Sequence, residues 1–277
     1  MIGASRTAER VAERRALHQL LDVPPVLADP IALRVLRPEV AAALTKSPRA
    51  HDSRISRYLR AFFAVRSRFA EDEVARAVTR GVTQYVVVGA GFDTFAYRNP
   101  FPELRVFEVD HPATQQVKRE RLDAAGITPS ASFVASDLSV QSLGDALASS
   151  DFDNSQPAIF SWLGVVVYLT REAIEATLRS IASLPKESTI VFDYGIPRES
   201  LGMIGRLVFD RMAEKVAAIG EPWQSFFTPD AMNTLLQSSG FRSVEDLGAA
   251  EINARYFADR TDGLRVGEAA RLVRASV

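Results

Sequence analysis

The stretch QYVVVGAGFDTFAYR, residues 84–98, decides the fold of this chain. Its β-branched run is typical of a buried strand, and the run ends at Gly89 and Gly91. Glycine lets the backbone turn sharply and approach a bound molecule closely. A second strand-like run ends at Asp110, about 20 residues further on, which is the spacing of a nucleoside-binding strand–turn–helix–strand unit. We therefore expect a ribose-containing ligand here, with its hydroxyl groups held by the Asp110 carboxylate.

From Gly81 onward strands and helices alternate along the chain, which favours a mostly parallel sheet with helices on both faces. The predicted strands are 84–88, 105–109, 131–135, 157–160, 188–193, 242–247 and 270–277. The predicted helices are 4–21, 54–79, 112–125, 142–149, 171–183, 200–218 and 229–238, with a short helix starting in IALRVL (31–36) and a loop at 46–52. The fold class is therefore α/β, with a Rossmann-like sheet.

The predicted helices before Gly81 contain no strand, so they are expected to form a cap on the sheet. We place a helical cap or lid at 1–80 and the α/β core at 81–277. The predicted helix 200–218 is followed by a further helix and not by a strand, so we predict an insertion at about 196–228.

Composition excludes several classes of function. The chain has 277 residues, 47% hydrophobic and 24% charged, with a net charge of −1 and no cysteine. It therefore has no global basic field for nucleic acid, no disulfide and no thiolate metal site. Its three histidines show no metal-ligand spacing, no apolar run is long enough to span a membrane, and no signal-peptide segment is present. We expect a cytoplasmic protein without metal.

The glycine loop departs from the dinucleotide pattern. That pattern needs a third glycine where this chain has Thr94, and Asp93 stands beside it. A carboxylate at a helix start opposes a pyrophosphate but suits a cationic ligand. S-adenosylmethionine has a ribose, a sulfonium and an amino group but no phosphate, so it is preferred over NAD. A plain tight turn stays the alternative from this motif alone.

The third predicted strand supports a nucleoside site. SFVASDL places Asp137 and Leu138 just past that strand, and ligands of open α/β sheets bind beyond the carboxyl ends of the strands. An acidic side chain there accepts from the adenine amino group, and a neighbouring N–H donates to a ring nitrogen. Three consecutive strands thus end in ligand-binding residue types.

Several motifs in order resemble the leucine carboxyl methyltransferase-like family of class I S-adenosylmethionine-dependent methyltransferases, in particular its bacterial, actinobacterial-type branch. They are GAGFDTFAYR, VFEVDHP, SDL and SWLGVVVYLT, with an N-terminal signature at 5–36 and a C-terminal one at 256–266. The resemblance implies Arg66 on the carboxylate of the cofactor, Gly89 and Gly91 along its methionine part, Asp110 on the ribose hydroxyl groups, and Asp137 and Leu138 on the adenine. The other residues expected to bind the cofactor are Ala90, Asp93, His111, Trp162 and Leu163.

One position departs from the family. Its protein-methylating members begin the motif after strand four with an acidic residue that contacts the amino end of the cofactor, whereas this chain has Leu163 there. The amino group then needs another partner, such as backbone carbonyls near Gly89 or the side chain of Asp93.

The expected reaction is O-methylation of a small molecule, at a carboxylate or a hydroxyl group. An ionised carboxylate needs no general base, whereas a hydroxyl acceptor does. No catalytic residue is assigned; Tyr168 and His111 are candidates, and His111 has a competing structural role before Pro112. The expected acceptor pocket lies between the N-terminal helices and the insertions, lined by Phe62, Trp162, Tyr168, Tyr194, Trp223, Phe226 and Phe227.

Three rival functions stay open at this point. One is an NAD-dependent oxidoreductase, which lacks an evident catalytic Tyr-x-x-x-Lys or histidine. Another is a cofactor-binding protein without catalysis, and the third is a protein C-terminal carboxyl methyltransferase.

Overall fold

A computed structural model describes residues 5–138 and 140–277. Seven strands of this part form one sheet, in the order β3-β2-β1-β4-β5-β7-β6. The strands are β1 (Gln84–Val88), β2 (Arg105–Asp110), β3 (Ser132–Ala135), β4 (Ile159–Trp162), β5 (Thr189–Gly195), β6 (Ser243–Leu247) and β7 (Ala270–Ser276).

The first five strands are parallel to one another, and β7 lies antiparallel between β5 and β6. Parallel neighbours need long crossovers, and helices supply these here. The order reverses at β1, whose neighbours are β2 and β4. Ligands of such sheets bind at the carboxyl ends of the strands beside this reversal. The predicted α/β class with a Rossmann-like, mostly parallel sheet is confirmed.

The helices lie close to the predicted bounds. They are α1 (Arg6–Leu21), α2 (Pro38–Lys46), α3 (Arg54–Thr79), α4 (Pro112–Ala124), α5 (Leu143–Ala148), α6 (Arg171–Ala182), α7 (Met203–Ala217), α8 (Pro229–Ser239) and α9 (Ala249–Tyr256). Short 3₁₀ helices lie at Pro48–His51, Phe95–Arg98, Val166–Tyr168 and Arg198–Ser200.

The structure differs from the predicted local structure at four places. Residues 31–36 form turns and no helix, because an Asp29 oxygen accepts from the backbone N–H of Ile31 and the next helix starts only at Pro38. The loop at 46–52 contains a 3₁₀ turn, and α9 was not predicted. Strand β4 also lies two residues later than expected, at Ile159–Trp162.

Apolar residues cover both faces of the sheet. On one face, the side chains of β1, β4 and β5 pack against α6 and α8; this cluster includes Val86, Phe160, Ile190, Ile174, Leu178 and Leu235. On the other face, α3 packs across β5 and β7 through Val65, Phe69, Val191 and Leu272. The residues alternate between faces along each strand, as the pleat requires. A rigid two-sided sheet therefore carries the loops at its carboxyl edge.

Buried polar groups join the first helix to α3. The His18 ring lies 2.9 Å from an oxygen of Asp22, and the same carboxylate accepts twice from the Arg60 guanidinium on α3. All three side chains are nearly or fully buried. The helices before residue 80 therefore pack tightly on one another, while their division as a separate cap stays a prediction. No helix in the described ranges is long and apolar enough to cross a membrane.

Candidate functional site

The register of the sheet brings the loops after β1 and β4 next to the last turn of β5. Val87 pairs with Ser161, which pairs with Val191, and Trp162 pairs with Phe192. Extending this register beyond the paired residues sets Gly89, Leu163 and Asp193 side by side on β1, β4 and β5. The loops that follow β1 and β4 therefore meet beside the end of β5.

The glycine loop has no room for side chains. Gly89 and Gly91 have φ angles of +67° and +49°, which disfavour other residues. A Cβ on Gly89 would lie 2.4 Å from a methyl group of Val165, and one on Gly91 would lie 3.1 Å from the Cβ of Ala8. The loop after β4 thus presses on Gly89, and α1 covers Gly91.

Asp110 stands at the carboxyl end of β2 and points back to the glycine loop. Its two oxygens accept from the backbone N–H groups of Gly91 and His111. Burial raises the pKa of this carboxyl, although the two N–H donors oppose the shift. A carboxylate with this position and spare lone pairs fits the two hydroxyl groups of a ribose.

His111 has a structural role in this arrangement. Its Nδ1 accepts from the backbone N–H of Ala113, so the ring caps the start of α4, and Pro112 occupies the first turn. When Nδ1 accepts this bond, Nε2 of the neutral ring carries the proton, so the capped ring has no free lone pair with which to act as a base. The prediction that His111 contacts the cofactor is not tested by these contacts.

Asp93 and Thr94 serve the structure of the loop. Asp93 accepts from the backbone N–H of Phe95 and lies 3.5 Å from the Arg15 guanidinium. The fully buried Thr94 hydroxyl donates to Asp29 and accepts from Arg15. This cluster binds α1 to the glycine loop, and it explains why threonine replaces a third glycine.

Sequence reasoning missed most of this cluster. Arg98 extends it, because the guanidinium contacts Asp29 at 3.5 Å and forms a double ion pair with Glu71 on α3. The partners come from three distant segments, and no local spacing in the sequence signals their contact.

Arg66 lies on α3 and reaches the loop after β4. It is 7% exposed, its Nη1 lies 3.4 Å from Asp193, and its guanidinium fills the space where a Gly164 Cβ would stand. The rings of Phe62 and Phe63 flank it, with the guanidinium carbon 5.7 and 4.7 Å from their centres. A buried, aromatic-flanked guanidinium suits a carboxylate of the cofactor.

The loop after β3 carries Asp137 and Leu138. The Asp137 carbonyl accepts from the N–H groups of Val140 and Gln141, which closes a turn, and Leu138 packs partly buried against the main apolar cluster. Both residues stand just past β3, next to Asp110 at the end of β2. This is the place that the adenine prediction requires.

The segment after β4 contains the remaining predicted residues. Trp162 is fully buried against Phe192, and its indole N–H has no acceptor within the described ranges. Leu163 packs partly buried against the α3 side of the sheet. Ala90 is likewise buried, between the two glycines of the first loop.

Tyr168 lies where the insertion meets α1. Its side chain faces those of Trp223 and Thr7, and burial raises the pKa of its hydroxyl group. The loop of the insertion is bound across it, since Gln224 donates to the carbonyl groups of Val167 and Tyr168. The start of α1 joins the same place through a hydrogen bond from the Thr7 N–H to Glu221.

Four of the aromatic residues predicted to line the acceptor pocket fall into two groups. Tyr194 and Phe227 belong to the core, where the Tyr194 hydroxyl donates to Asp246 at 2.7 Å. Trp223 and Phe226 instead pack with Phe209 of α7, at ring-centre distances of 5.3 and 5.1 Å. Phe209 was not predicted.

Two surface cavities have volumes of about 430 Å³. One is lined by Arg54, Arg57, Tyr58, Gly263 and Arg265, and the other by residues of 23–26 and 254–262 with Arg68. Neither contains a predicted cofactor residue. Ala8 lies against the glycine loop, so the start of α1 covers part of the candidate site. Within the described ranges, no cluster of histidine and acidic side chains is suited to hold a metal ion.

Comparisons with known proteins show the family to which the chain belongs. The sequence model of the leucine carboxyl methyltransferase family matches residues 8–182, more than half of the chain. A candidate S-adenosyl-L-methionine-dependent methyltransferase of Bacillus subtilis, YktD, is 38% identical over 76% of this chain and 70% of its own length. The chain therefore belongs to the leucine carboxyl methyltransferase family. It is an S-adenosylmethionine-dependent methyltransferase, which confirms the predicted cofactor over NAD.

Other similarities agree with this assignment. A candidate methyltransferase of the same cofactor class from Mycobacteroides abscessus is 35% identical over 48% of this chain and 45% of its own length. The crystal structure of a candidate methyltransferase from Thermobifida fusca matches 96% of this chain and 93% of its own, with a TM-score of 0.60 and 18% identity. That structure supports the fold alone.

Proposed function

We propose that this enzyme methylates an oxygen of a small molecule, at a carboxylate in preference to a hydroxyl group. The observation that carries the proposal is the group of aromatic rings beyond β4 and β5. Three aromatic rings of the insertion pack together there, and Phe226 lies against Gly195 at the end of β5. Such a group of rings suits a compact acceptor with an apolar body better than a folded protein.

The cofactor would be held by residues at the ends of β1, β2 and β3 and by one residue of α3. Gly89 and Gly91 leave space for its close approach, and Asp110 accepts from its ribose hydroxyl groups. Asp137 and Leu138 hold the adenine, and Arg66 pairs with the carboxylate. When bound, S-adenosylmethionine supplies a methyl carbon made electrophilic by the attached sulfonium.

The protein contributes alignment and exclusion of water. The start of α1 lies over Gly91, and the insertion loop is hydrogen bonded across the segment after β4. Both contacts keep water from the space between cofactor and acceptor, which favours an in-line transfer. Tyr168 orients the acceptor through its hydroxyl group.

The preference for a carboxylate rests on the shortage of bases. His111 already caps α4 through Nδ1, and burial raises the pKa of the Tyr168 hydroxyl, so neither group is primed to remove a proton near neutral pH. A carboxylate is ionised at that pH and attacks without proton removal.

Calorimetric titration with S-adenosylhomocysteine, S-adenosylmethionine and NAD tests the cofactor site. We expect micromolar binding of the two adenosyl ligands to the native protein, at least tenfold weaker binding to Asp110→Ala, and no binding of NAD. Glu187→Gln, which breaks an ion pair with Arg80 just before β5 at the opposite edge of the sheet, serves as the control and should bind normally. Equal binding by native protein and Asp110→Ala would refute the site.

Transfer of a radiolabelled methyl group to a panel of carboxylic acids and phenols tests the acceptor class. A methyl ester releases labelled methanol in mild alkali, whereas a methyl ether does not. Label released by alkali supports the proposal. Label stable to alkali would show a hydroxyl acceptor, label in peptide C-termini a protein methyltransferase, and cofactor binding without transfer to any of these a protein that binds without catalysis.

A further inference from the structure

The loops around β4 and β5 contain a buried ion pair that the assignment above does not explain. Asp193 is 8% exposed, and its carboxylate accepts from the Gly164 N–H at 2.6 Å and lies 3.4 Å from Arg66. Gly164 needs its φ of +71° and its missing side chain, because Arg66 occupies that space. Three segments of chain are thus shaped around one carboxylate.

This carboxylate lies beside the glycine loop. Asp193 stands level with Leu163 and Gly89 across β5, β4 and β1, as the register requires. Contacts confirm the proximity, since Val165 presses on Gly89 and the neighbouring Gly164 donates to Asp193. The pair of Asp193 and Arg66 therefore stands at the end of the site where the methionine part of the cofactor is expected.

The distance between Arg66 and Asp193 is long in comparison with another buried ion pair of the molecule. This distance of 3.4 Å exceeds the 2.7–2.9 Å that is usual for a guanidinium donating to a carboxylate. Arg60 and Asp22, another buried pair, lie 2.9 Å apart. A carboxylate also has about four lone-pair positions, and the described contacts of Asp193 use only part of them. Asp193 can therefore accept from a further cationic donor while it keeps its contact with the Gly164 N–H.

The amino-acid end of the cofactor has the charges that match this pair. It is a zwitterion with one carboxylate and one ammonium group. If Arg66 takes the carboxylate, Asp193 would lose its partner, and a buried unpaired carboxylate is costly. An ammonium group bound at Asp193 restores the balance, so that neither protein charge is left alone.

We propose that Asp193 binds the α-amino group of S-adenosylmethionine while Arg66 binds its carboxylate, so that the cofactor exchanges partners with a preformed ion pair. The acidic residue that Leu163 does not supply on β4 is thus supplied by the adjacent strand. This inference rests on the cofactor site proposed above.

Titrating three ligands into three forms of the protein tests the roles proposed for Asp193 and Arg66. S-adenosylhomocysteine, its analogue without the amino group and its analogue without the carboxylate are titrated into native protein, Asp193→Asn and Arg66→Met. We expect Asp193→Asn to weaken S-adenosylhomocysteine by about 10- to 100-fold, as for a hydrogen bond to a charged group, and to leave the analogue without the amino group almost unchanged. Arg66→Met should show the converse selectivity for the carboxylate.

Two further measurements make the test independent of damage to the fold. Native protein alone should bind the analogue without the amino group at least tenfold more weakly than S-adenosylhomocysteine. Leu163→Glu in the Asp193→Asn background returns a carboxylate to the same level of the sheet and should recover part of the affinity. Glu187→Gln, which breaks the Arg80–Glu187 pair at the opposite edge of the sheet, is the control and should bind normally.

Each outcome separates the two proposals. If native protein binds none of the adenosyl ligands, the cofactor site itself is wrong. If native protein binds S-adenosylhomocysteine and its analogue without the amino group equally, or if Asp193→Asn weakens both by the same factor, the site stands and the role of Asp193 in binding the amino group is refuted.

Discussion

Replacing Gly89 by alanine tests the geometry of the glycine loop most directly. The left-handed φ of +67° costs a residue with a side chain about 1–2 kcal/mol. The added Cβ would also stand 2.4 Å from the Cγ2 of Val165, more than 1 Å inside an ordinary contact. Overpacking of this kind costs about 1–3 kcal/mol. We therefore expect Gly89→Ala to lower the free energy of unfolding by about 2–5 kcal/mol.

The two causes can be separated with the same assay, equilibrium unfolding in urea. Gly81→Ala is the control for backbone strain alone, because Gly81 has a φ of +89° and a Cβ added there would meet no neighbouring atom within 4 Å. It should cost only about 1–2 kcal/mol. Val165→Ala alone removes partly buried methyl groups and should cost about 1 kcal/mol.

The double variant Gly89→Ala/Val165→Ala decides the reasoning. Truncating Val165 removes the overlap, so the double variant should be about 1–3 kcal/mol more stable than the sum of the single effects predicts. Additive effects, or a Gly89→Ala variant no less stable than Gly81→Ala, would refute the contact between the loops after β1 and β4.

Two other predictions concern buried charges, and urea unfolding measures both. Lys118→Met leaves Glu108 buried without the ammonium group that now lies 2.6 Å away, so the free energy of unfolding should fall by about 3–5 kcal/mol. Adding Glu108→Gln should recover at least half of that loss. No recovery would show that the loss of this ion pair is not the cause. The pKa of Asp29 lies below its ordinary value of 3.8, because the charges of Arg15 and Arg98 and the Thr94 hydroxyl outweigh the opposing effect of burial. The Asp29 carboxylate therefore stabilises the folded protein fully above pH 3.8, and this stabilisation is lost as the pH falls through the lower pKa of the folded state. Between pH 5 and 3, the free energy of unfolding of the native protein should fall more steeply than that of Asp29→Asn. Parallel pH profiles would contradict this.

The sequence by itself determined the class of the sheet and the position of most of its strands. Alternation of apolar residues and the positions of glycine and proline are local, and they predicted β1 and the bounds of α3 without error. The short turns at 31–36 were mistaken for a helix because their cause is a side-chain hydrogen bond from Asp29, which periodicity does not show. Residues at strand ends, such as Gly89 and Asp110, could be found because the carboxyl edge of a parallel sheet collects them.

Only the tertiary structure decided which charges meet. Arg66 and Asp193 are 127 residues apart in the chain, and Arg15, Asp29, Thr94 and Glu71 come from segments that no spacing rule relates. The pairing of buried charges depends on helix packing and strand register, because Coulomb attraction acts through space and leaves no periodic pattern in sequence. For that reason the sequence located the cofactor loop, whereas the partner that we propose for the amino group emerged only when β4 and β5 were seen side by side.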